Sequence, residues 1–246
     1  MKNEELSMKE RQELVLQLVK EVDRICRKYC LKYSLGYGSV LGAVRHHGFI
    51  PWDSDMDIYI PIVEEEKFRE AFRIELPENM HLYEWDKEEK YHPCFDRVAF
   101  KTIPHELVHV DVYRMCGAPD NLKERKRFIK ECYYSYHILS CKEKNIQFSR
   151  KRNKWKISLL KLFLLAVPEK SIKKQYRNLQ MRYDYYECKN VFTITSIYQM
   201  NDYMVKEDLF DTIRMEFEGC DLPIPRKYDE YLTSIYGDYM TPRQYD

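Results

Sequence analysis

Residues 35–60 read LGYGSVLGAVRHHGFIPWDSDMDIYI, and this stretch decides the fold of the chain. It opens with a Gly-Ser turn behind a short apolar run, passes through a brief amphipathic segment and ends in carboxylates at alternate positions. Alternating polar and apolar residues are typical of a β-strand that packs one face on a core. The stretch therefore predicts a strand, a turn, a short helix and a second strand that carries carboxylates.

Two carboxylates of this second strand share one face. Side chains two residues apart on a strand point to the same side, so Asp55, Asp57 and Tyr59 face one way and the apolar residues between them face the other. Adjacent carboxylates repel and raise each other's pKa unless a cation lies between them. Because Mg²⁺ prefers carboxylate oxygens together with substrate phosphates, the strand predicts a metal site that also holds a phosphate.

The Gly-Ser turn upstream predicts an anion site. Gly38 lets the backbone approach a phosphate, and Ser39 is expected to cap a short helix over residues 39–47, whose first N–H groups favour an anion. Taken singly, a Gly-Ser turn is usually only a turn, and spaced aspartates are often part of a solvated loop. Their combination across one short helix favours a functional site.

The residues that form the combined motif are Tyr37-Gly38-Ser39-Val40-Leu41-Gly42, Arg45, Gly48-Phe49-Ile50-Pro51-Trp52-Asp53, Asp55 and Asp57. This motif resembles the signature of the LicD family of phosphocholine transferases, which is also similar to the fukutin-related ribitol-phosphate transferases. The resemblance covers the chain almost from end to end. This sequence departs from the family's pattern at Ser39 and Val40, where Thr and Leu are common, and at Ser54, where many members carry Asp. These departures concern substrate fit, because none removes a metal ligand.

The resemblance implies a fold of the nucleotidyltransferase superfamily. We expect an α/β (α+β) architecture, a nucleotidyltransferase-like mixed sheet flanked by helices, with a helical insertion or appendage. Residues 1–120 are predicted to form the catalytic core, residues 121–189 a basic helical segment, and residues 190–246 the strands and helix that complete a single globular unit. The 246 residues suffice for one large core, and 41 basic against 40 acidic side chains give no reason to expect nucleic acid.

Periodicity predicts the other elements of the chain. An apolar stripe indicates a helix over residues 7–32, and Phe68 and Phe72 lie on a second amphipathic helix over residues 64–73. The remaining predicted elements are strands over residues 81–85, 95–101, 108–115 and 191–196, a strand-turn-strand over 217–225 and a helix over 228–236. The eight cysteines are scattered without a Cys-x-x-Cys pair, which favours buried thiols in a reducing compartment.

The strand over residues 108–115 carries a third carboxylate. Its valines face one way and Asp111 faces the other, and an Asp in a Val-rich strand needs a reason. In the fold that the resemblance implies, this strand lies beside the one that carries Asp55 and Asp57. Asp111 is therefore expected to be the third metal ligand and a general base for the acceptor hydroxyl. The alternative is a charged residue on an exposed strand face.

Other motif residues are predicted to contact the substrate. Arg45 suits a diphosphate, with a structural ion pair as the alternative, and Asp53 is expected to hold the loop or a water. A quaternary ammonium group is drawn to the faces of aromatic rings, although core packing is the commoner role of such rings. The candidate aromatic residues by position are Tyr37, Trp52, Trp85 and Tyr113.

Two segments have open roles. Basic residues 150–156 run into apolar residues 157–167, which are too short and interrupted to cross a bilayer. This helix is expected to pack in the core, with contact to a membrane surface as the alternative. Residues 231–239 resemble the family's C-terminal signature and are expected to seal the fold, with a cover over the site as the alternative.

The resemblance and the motif predict an enzyme that moves phosphocholine from CDP-choline to a sugar hydroxyl and releases CMP. The acceptor implied is a surface glycan such as lipopolysaccharide, teichoic acid or capsule, or its lipid-linked precursor. One or two Mg²⁺ ions, with Mn²⁺ as the alternative, are expected at Asp55, Asp57 and Asp111. The polar N-terminus lacks a signal core, so a cytoplasmic protein is expected, and a lipid-linked acceptor would place it at the inner membrane surface.

Three other functions remain open on the sequence. The donor can be CDP-ribitol or CDP-glycerol, because no residue pattern separates these from CDP-choline. A nucleotidyltransferase would use the same carboxylates on a nucleoside triphosphate and release pyrophosphate. A scaffold protein on the same fold is less favoured, because the chain keeps all three carboxylates.

Overall fold

The computed structural model of the protein describes residues 6–88, 93–143, 166–196 and 198–242. The helices in these ranges are α1 Met8–Lys28, α2 Tyr37–His46, α3 Glu65–Glu75, α4 Leu122–Glu143, α5 Glu169–Gln180, α6 Lys206–Phe210 and α7 Tyr228–Tyr236, with 3₁₀ turns at Ile62–Glu64 and Gln199–Asp202. The strands are β1 Ser34–Leu35, β2 Met56–Pro61, β3 Met80–Tyr83, β4 Asp96–Phe100, β5 His109–Ala118, β6 Asn190–Phe192, β7 Met204–Val205, β8 Thr212–Phe217 and β9 Cys220–Pro225.

The main sheet is mixed, as predicted. Its strand order is β1-β2-β5-β4-β3, and β6 and β7 extend it from the far end of β5. β2 pairs with β5 in parallel, and the other neighbouring strands in the described ranges pair antiparallel. The hairpin β8–β9 forms a separate two-stranded sheet. Helices flank the main sheet, so the prediction of an α/β fold is confirmed.

Helix α1 forms for local reasons that the sequence shows. Ser7 and Glu10 make a capping box, in which the Ser7 hydroxyl accepts from the backbone N–H of Glu10. The predicted apolar stripe is buried, although the helix ends at Lys28 and not near residue 32. The other predicted helices and strands are found within a few residues of their expected bounds.

A cluster of buried ions, which periodicity could not predict, binds α3 to the sheet. The Arg69 guanidinium of α3 is fully buried and donates to both carboxylate oxygens of Asp96 on β4, at 2.8 and 2.9 Å. Glu65 of α3 accepts from Arg114 of β5 at 2.8 Å and from Arg177 of α5 at 2.5 Å. These pairs fix four elements to one another, because each charge is stable in the interior only beside its partner.

The segment after α4 is described only in part. The predicted basic and apolar stretch at residues 150–167 lies almost wholly outside the described residues. Helix α5, which follows it, packs on α4 with Ile172, Tyr176 and Leu179 buried. Among the described residues, we find no helix whose length and apolar content would let it cross a membrane.

The buried ion cluster predicts how stability depends on Glu65. Burial opposes ionisation of Glu65, but the charges of Arg114, Arg177 and Arg69 outweigh it and lower the pKa to about 2. We expect Glu65→Gln to lower the free energy of unfolding at pH 7 by about 3 kcal/mol, because the arginines lose their buried partner. The stabilisation is complete above the ordinary Glu pKa of 4.5 and is lost as the pH falls towards about 2.

Urea unfolding of the parent and the variant at pH 7 and pH 3 measures this effect. The control is Glu66→Gln on the same helix, whose exposed carboxylate also pairs with Arg69 and should change stability by less than about 1 kcal/mol. Equal unfolding midpoints of Glu65→Gln and the parent at pH 7 would contradict the role assigned to the cluster.

Candidate active site

A cleft of about 610 Å³ opens near the N-terminal ends of the neighbouring strands β2 and β5, beside the start of α2. The residues that line it are Tyr37, Gly38, Leu41, Arg45, Ile50, Trp52, Asp53, Asp57, Phe95, Tyr113, Tyr136, Thr195, Tyr198, Tyr236, Asp238, Tyr239 and Thr241. Six of the nine predicted site residues are in this lining. The other three, Ser39, Asp55 and Asp111, lie next to the lining residues without being part of it.

The pairing of β2 with β5 brings two predicted carboxylates together. Asp57 lies directly opposite Asp111 in the parallel register. On the other side of Asp111, β4 places Arg97, whose Nε and Nη2 donate to the two carboxylate oxygens at 2.5 and 3.0 Å. The structure thus places Asp111 beside Asp57 as expected, and also gives Asp111 a cationic partner that was not predicted.

His109 connects the carboxylates of the two strands. Its Nε2 lies 3.6 Å from Oδ2 of Asp55 and 3.7 Å from Oδ2 of Asp111. Its Nδ1 is buried and has no hydrogen-bond partner among the described residues. The sequence placed His109 on the same strand face as Asp111, but offered no sign of contact with Asp55.

The electrostatics of the carboxylates show a surplus of negative charge. Burial, together with the charges of Asp55, Asp111 and Asp53, raises the pKa of Asp57 well above its ordinary value. Burial and a hydrogen bond to Asp55 raise the pKa of Asp53 to about 7. Burial opposes ionisation of Asp55, but hydrogen bonds from His109 and Asp53 outweigh it and lower the pKa to about 2. Arg97 alone does not neutralise the negative charge of these aspartates. The raised pKa values of Asp53 and Asp57 mean that bound protons compensate part of that charge.

This donor set suits a hard divalent cation in its chemistry. Clustered carboxylates that raise one another's pKa become fully ionised when a cation neutralises them, and Mg²⁺ binds such oxygens together with substrate phosphates. In the described part of the chain, no three His, Cys, Asp or Glu side chains are already grouped as metal ligands. A cation bound here would therefore need further ligands. Phosphate oxygens of a substrate would supply them, or the Asp111 carboxylate would have to move.

The turn at Gly38 differs in detail from the prediction. Helix α2 begins at Tyr37 after the N-cap residue Gly36, and Ser39 lies inside the helix. The prediction that Ser39 caps this helix is therefore wrong, because its hydroxyl accepts instead from the backbone N–H of Asp57, at 2.8 Å. Gly38 does allow a close approach: a Cβ there would lie 2.9 Å from Oδ2 of Asp53. Any side chain at Gly38 would push the Asp53 carboxylate out of position.

The C-terminal segment forms one wall of the cleft. Tyr236 at the end of α7 and Tyr239 beyond it line the cleft, and the Tyr239 carbonyl accepts from Nη1 of Arg45 at 2.7 Å. The expectation that this segment only seals the fold is therefore wrong, because it lines the site. Arg45 reaches the cleft, as a residue for a diphosphate must, and its structural contact is with a backbone carbonyl and not the ion pair that was the alternative.

Aromatic rings dominate the other walls. Tyr37 contacts Tyr113 edge to face with ring centroids 5.5 Å apart, and Phe95 lies 4.6 Å from Tyr113. Trp52 is half exposed at the mouth of the cleft. Trp85, a fourth candidate ring from the sequence, is instead buried against Tyr176 and lines no part of the cleft.

Several lining residues were missed by sequence reasoning. They are Phe95, Tyr136, Thr195, Tyr198, Tyr236, Asp238, Tyr239 and Thr241. Tyr236, Asp238 and Tyr239 fall within the C-terminal signature at residues 231–239, which was the one available signal. The others lie on loops and helices far along the chain, and nothing in their local sequence separates a cleft-lining ring from a packed one.

The fold and the site define an α/β enzyme of the nucleotidyltransferase type, in which neighbouring strands present carboxylates beside a helix N-terminus. The model of the LicD/FKTN/FKRP nucleotidyltransferase domain matches residues 31–148, and the chain is similar to this family over that stretch. Over 253 residues it is 28% identical to the lipopolysaccharide cholinephosphotransferase LicD of Haemophilus influenzae, covering 96% of this chain and 92% of that protein. An uncharacterized protein of Rickettsia typhi is 28% identical over 125 residues, 49% of this chain and 32% of that protein.

The pairing of Arg97 with Asp111 predicts a strong effect of Arg97→Gln. Both side chains are buried, so removal of the guanidinium leaves the Asp111 carboxylate beside Asp57 without its main counter-charge. We expect the free energy of unfolding in EDTA to fall by about 3 kcal/mol. The double variant Arg97→Gln/Asp111→Asn should recover most of this loss, because the unpaired charge is then also removed.

Urea unfolding of the single and double variants in EDTA tests this prediction. The control is Arg73→Gln, which removes a half-exposed partner of Glu84 and should cost less than about 1 kcal/mol. If the double variant is as unstable as Arg97→Gln, the Arg97 side chain stabilises the site through packing and not through the Asp111 charge.

Proposed function

We propose that this protein transfers phosphocholine from CDP-choline to a sugar hydroxyl of lipopolysaccharide or a similar surface glycan, or of its lipid-linked precursor, and releases CMP. The observation that carries the proposal is a carboxylate cluster with surplus negative charge at one side of a cleft whose other walls are aromatic. The similarity of the chain to this family and the cholinephosphotransferase name of its Haemophilus influenzae relative support it.

The carboxylates are proposed to hold the diphosphate through Mg²⁺, with Mn²⁺ as a substitute. Asp55, Asp57 and Asp111 are the proposed ligands, and Arg97 would share Asp111 with the ion. When bound, the ion supplies charge neutralisation at the entering and leaving phosphate oxygens. Asp53 and Asp57 line the cleft and Asp111 does not, so one of these two is better placed than Asp111 to accept the proton of the acceptor hydroxyl.

The phosphate end of the donor is proposed to lie beside the start of α2. Gly38 leaves room next to Asp53, and the N-terminal N–H groups of α2 favour an anion. Arg45, which the Tyr239 carbonyl holds at the cleft, adds the cationic side chain of this lining. Ser39 is proposed to act indirectly, by fixing the backbone of Asp57.

The aromatic walls favour choline over a polyol. A quaternary ammonium group offers no hydrogen-bond donor and is attracted to ring faces, whereas ribitol or glycerol requires several polar partners. Tyr37, Trp52, Phe95 and Tyr113 all line the cleft, and eight of its seventeen lining residues are aromatic against six with charged side chains or threonine hydroxyls. Selectivity for choline is therefore the expectation for the donor.

We place the protein in the cytoplasm, at the inner membrane surface when the acceptor is lipid-linked. The seven cysteines whose side chains are described are all free, as is usual in a reducing compartment. This location is a proposal that cell fractionation can test.

Titration calorimetry with CDP-choline, CDP-ribitol and CDP-glycerol in Mg²⁺ tests the donor assignment. We expect metal-dependent binding of CDP-choline, at least about tenfold tighter than that of either polyol donor, because only choline matches the aromatic walls. The control is the double variant Asp55→Asn/Asp57→Asn, which should not show metal-dependent binding. Tightest binding of a polyol donor would overturn the choline assignment, and release of pyrophosphate from CTP would indicate a nucleotidyltransferase.

Asp57→Asn separates the role of this residue in activity from its role in stability. We expect transfer activity to fall at least about 100-fold, because the loss of a metal ligand removes several kcal/mol of transition-state stabilisation. Without metal, the variant should be at least as stable as the parent, since burial and like charges disfavour the ionised form of Asp57. A CMP-release assay and thermal unfolding in EDTA measure the two effects, and full activity of the variant would exclude Asp57 as a ligand.

A further inference from the structure

A buried carboxylate lies behind the aromatic wall of the cleft, and no cationic side chain of the described residues pairs with it. Asp202, in the 3₁₀ turn after β6, is 0% exposed. Its Oδ2 accepts from the hydroxyl of Tyr37 at 2.8 Å and from the hydroxyl of Ser196. Within the described ranges, its Oδ1 has no hydrogen-bond partner and no Lys or Arg forms a salt bridge with it. Burial raises its pKa to about 6 against the hydrogen bonds from Ser196 and Tyr37, so ionisation of the side chain is favoured as the pH rises above that value.

Such a charge is costly and needs a reason. An ionised carboxylate in the interior is normally paired with a cation, as Asp96 and Glu65 are in this protein. Two hydroxyl groups satisfy part of the hydrogen-bonding capacity of Asp202 but bring no positive charge. When ionised, Asp202 therefore carries a negative charge that no Lys or Arg of the described residues pairs with.

The position of Asp202 points to the cleft. Its partner Tyr37 lines the cleft and packs against Tyr198, with ring centroids 5.5 Å apart. Tyr198 in turn contacts Tyr236 edge to face at 5.7 Å. These three tyrosines form a continuous aromatic wall, and Asp202 binds the first of them from behind.

We propose that Asp202 is a specificity-determining positioning residue that makes this tyrosine wall a subsite for a quaternary ammonium cation. A phenol that donates to a carboxylate carries more electron density in its ring, which strengthens the attraction of the ring for a cation. The fixed negative charge behind the ring adds a direct attraction through a low-dielectric interior. This inference rests on the proposed choline donor and assigns its head group to the tyrosine wall.

A purely structural role for Asp202 is the competing explanation. Tyr37 has a φ of 41°, an unusual backbone angle for a residue other than glycine, and contacts with Asp202 and Tyr231 hold it there. An anchor of this kind would affect the binding of every ligand of the cleft alike. A charge effect would affect only cationic ligands, so the two explanations predict different results with a pair of ligands of equal shape.

The test compares CDP-choline with its neutral isostere, the CDP ester of 3,3-dimethylbutanol, in which carbon replaces the quaternary nitrogen. Calorimetry in Mg²⁺ should show the parent binding CDP-choline at least about tenfold more tightly than the isostere. In Asp202→Asn, the preference should fall to about twofold or less, with the affinity for the isostere almost unchanged. Ser234→Ala is the matched control, because it removes a hydroxyl bonded to the carbonyl of the neighbouring Asn201 but leaves Asp202 and its hydrogen bonds intact, and it should retain the preference.

Each outcome decides the inference. An equal loss of affinity for both ligands in Asp202→Asn would assign it a structural role, and an unchanged preference would exclude it as a determinant; either result overturns the proposal. If Asp202→Asn does not fold, Tyr37→Phe retains the ring and the buried carboxylate but breaks their hydrogen bond, and it should still reduce the preference about threefold. An unchanged preference in that variant would likewise overturn the proposal.

The proposed function can fail separately. If the parent binds neither CDP ester, the donor assignment is wrong, and the cation subsite is then judged with free choline and free 3,3-dimethylbutanol. Preference for free choline that disappears in Asp202→Asn would support the subsite without the donor, and equal binding of the two free ligands to the parent would overturn it.

Discussion

The parallel pairing of β2 with β5 is the constraint on which the rest of the site depends. Its register places Asp57 opposite Asp111 and Tyr59 opposite Tyr113, so one contact between strands brings together carboxylates from distant parts of the chain. Like charges directly opposite each other in a sheet are destabilising. Arg97 on β4 offsets one of these charges through two hydrogen bonds to Asp111. The Asp57 carboxylate has no such partner among the described side chains, and this imbalance of charge makes the N-terminal ends of β2 and β5 suitable for a cation.

Buried charges are treated in two ways in this protein. In the ion cluster around α3, Arg69, Arg114 and Arg177 each pair with carboxylates. These ion pairs hold α3 and α5 against β4 and β5. Around the cleft, Asp57 and Asp202 have no comparable ion pair among the residues that the structure describes. The first arrangement stabilises the fold, because removal of any member leaves a charge uncompensated. The second arrangement costs stability, which is the expected signature of residues kept for binding.

The cleft is assembled from both ends of the chain. The first half supplies the carboxylates and the start of α2, whereas the tyrosines at positions 198, 236 and 239 come from the last fifty residues. Two hydrogen bonds connect the two halves. The Tyr239 carbonyl accepts from Arg45, and the Tyr231 hydroxyl accepts from the backbone N–H of Tyr37. The C-terminal helix is thus part of the binding wall, and substitutions there are expected to alter ligand selection as well as folding.

The sequence by itself determined the features that depend on neighbours in the chain. Apolar periodicity and the capping box of α1 predicted the helices and strands, and the Gly, Pro and Asp residues of positions 36–57 predicted the carboxylates at the cleft. Only the tertiary structure decided that Ser39 supports Asp57 instead of capping a helix, that Arg97 binds Asp111, that Trp85 is buried and that Asp202 backs Tyr37. The reason is physical: periodicity and turn preferences act over a few residues, whereas ion pairs and aromatic walls join side chains whose separation in sequence leaves no local trace.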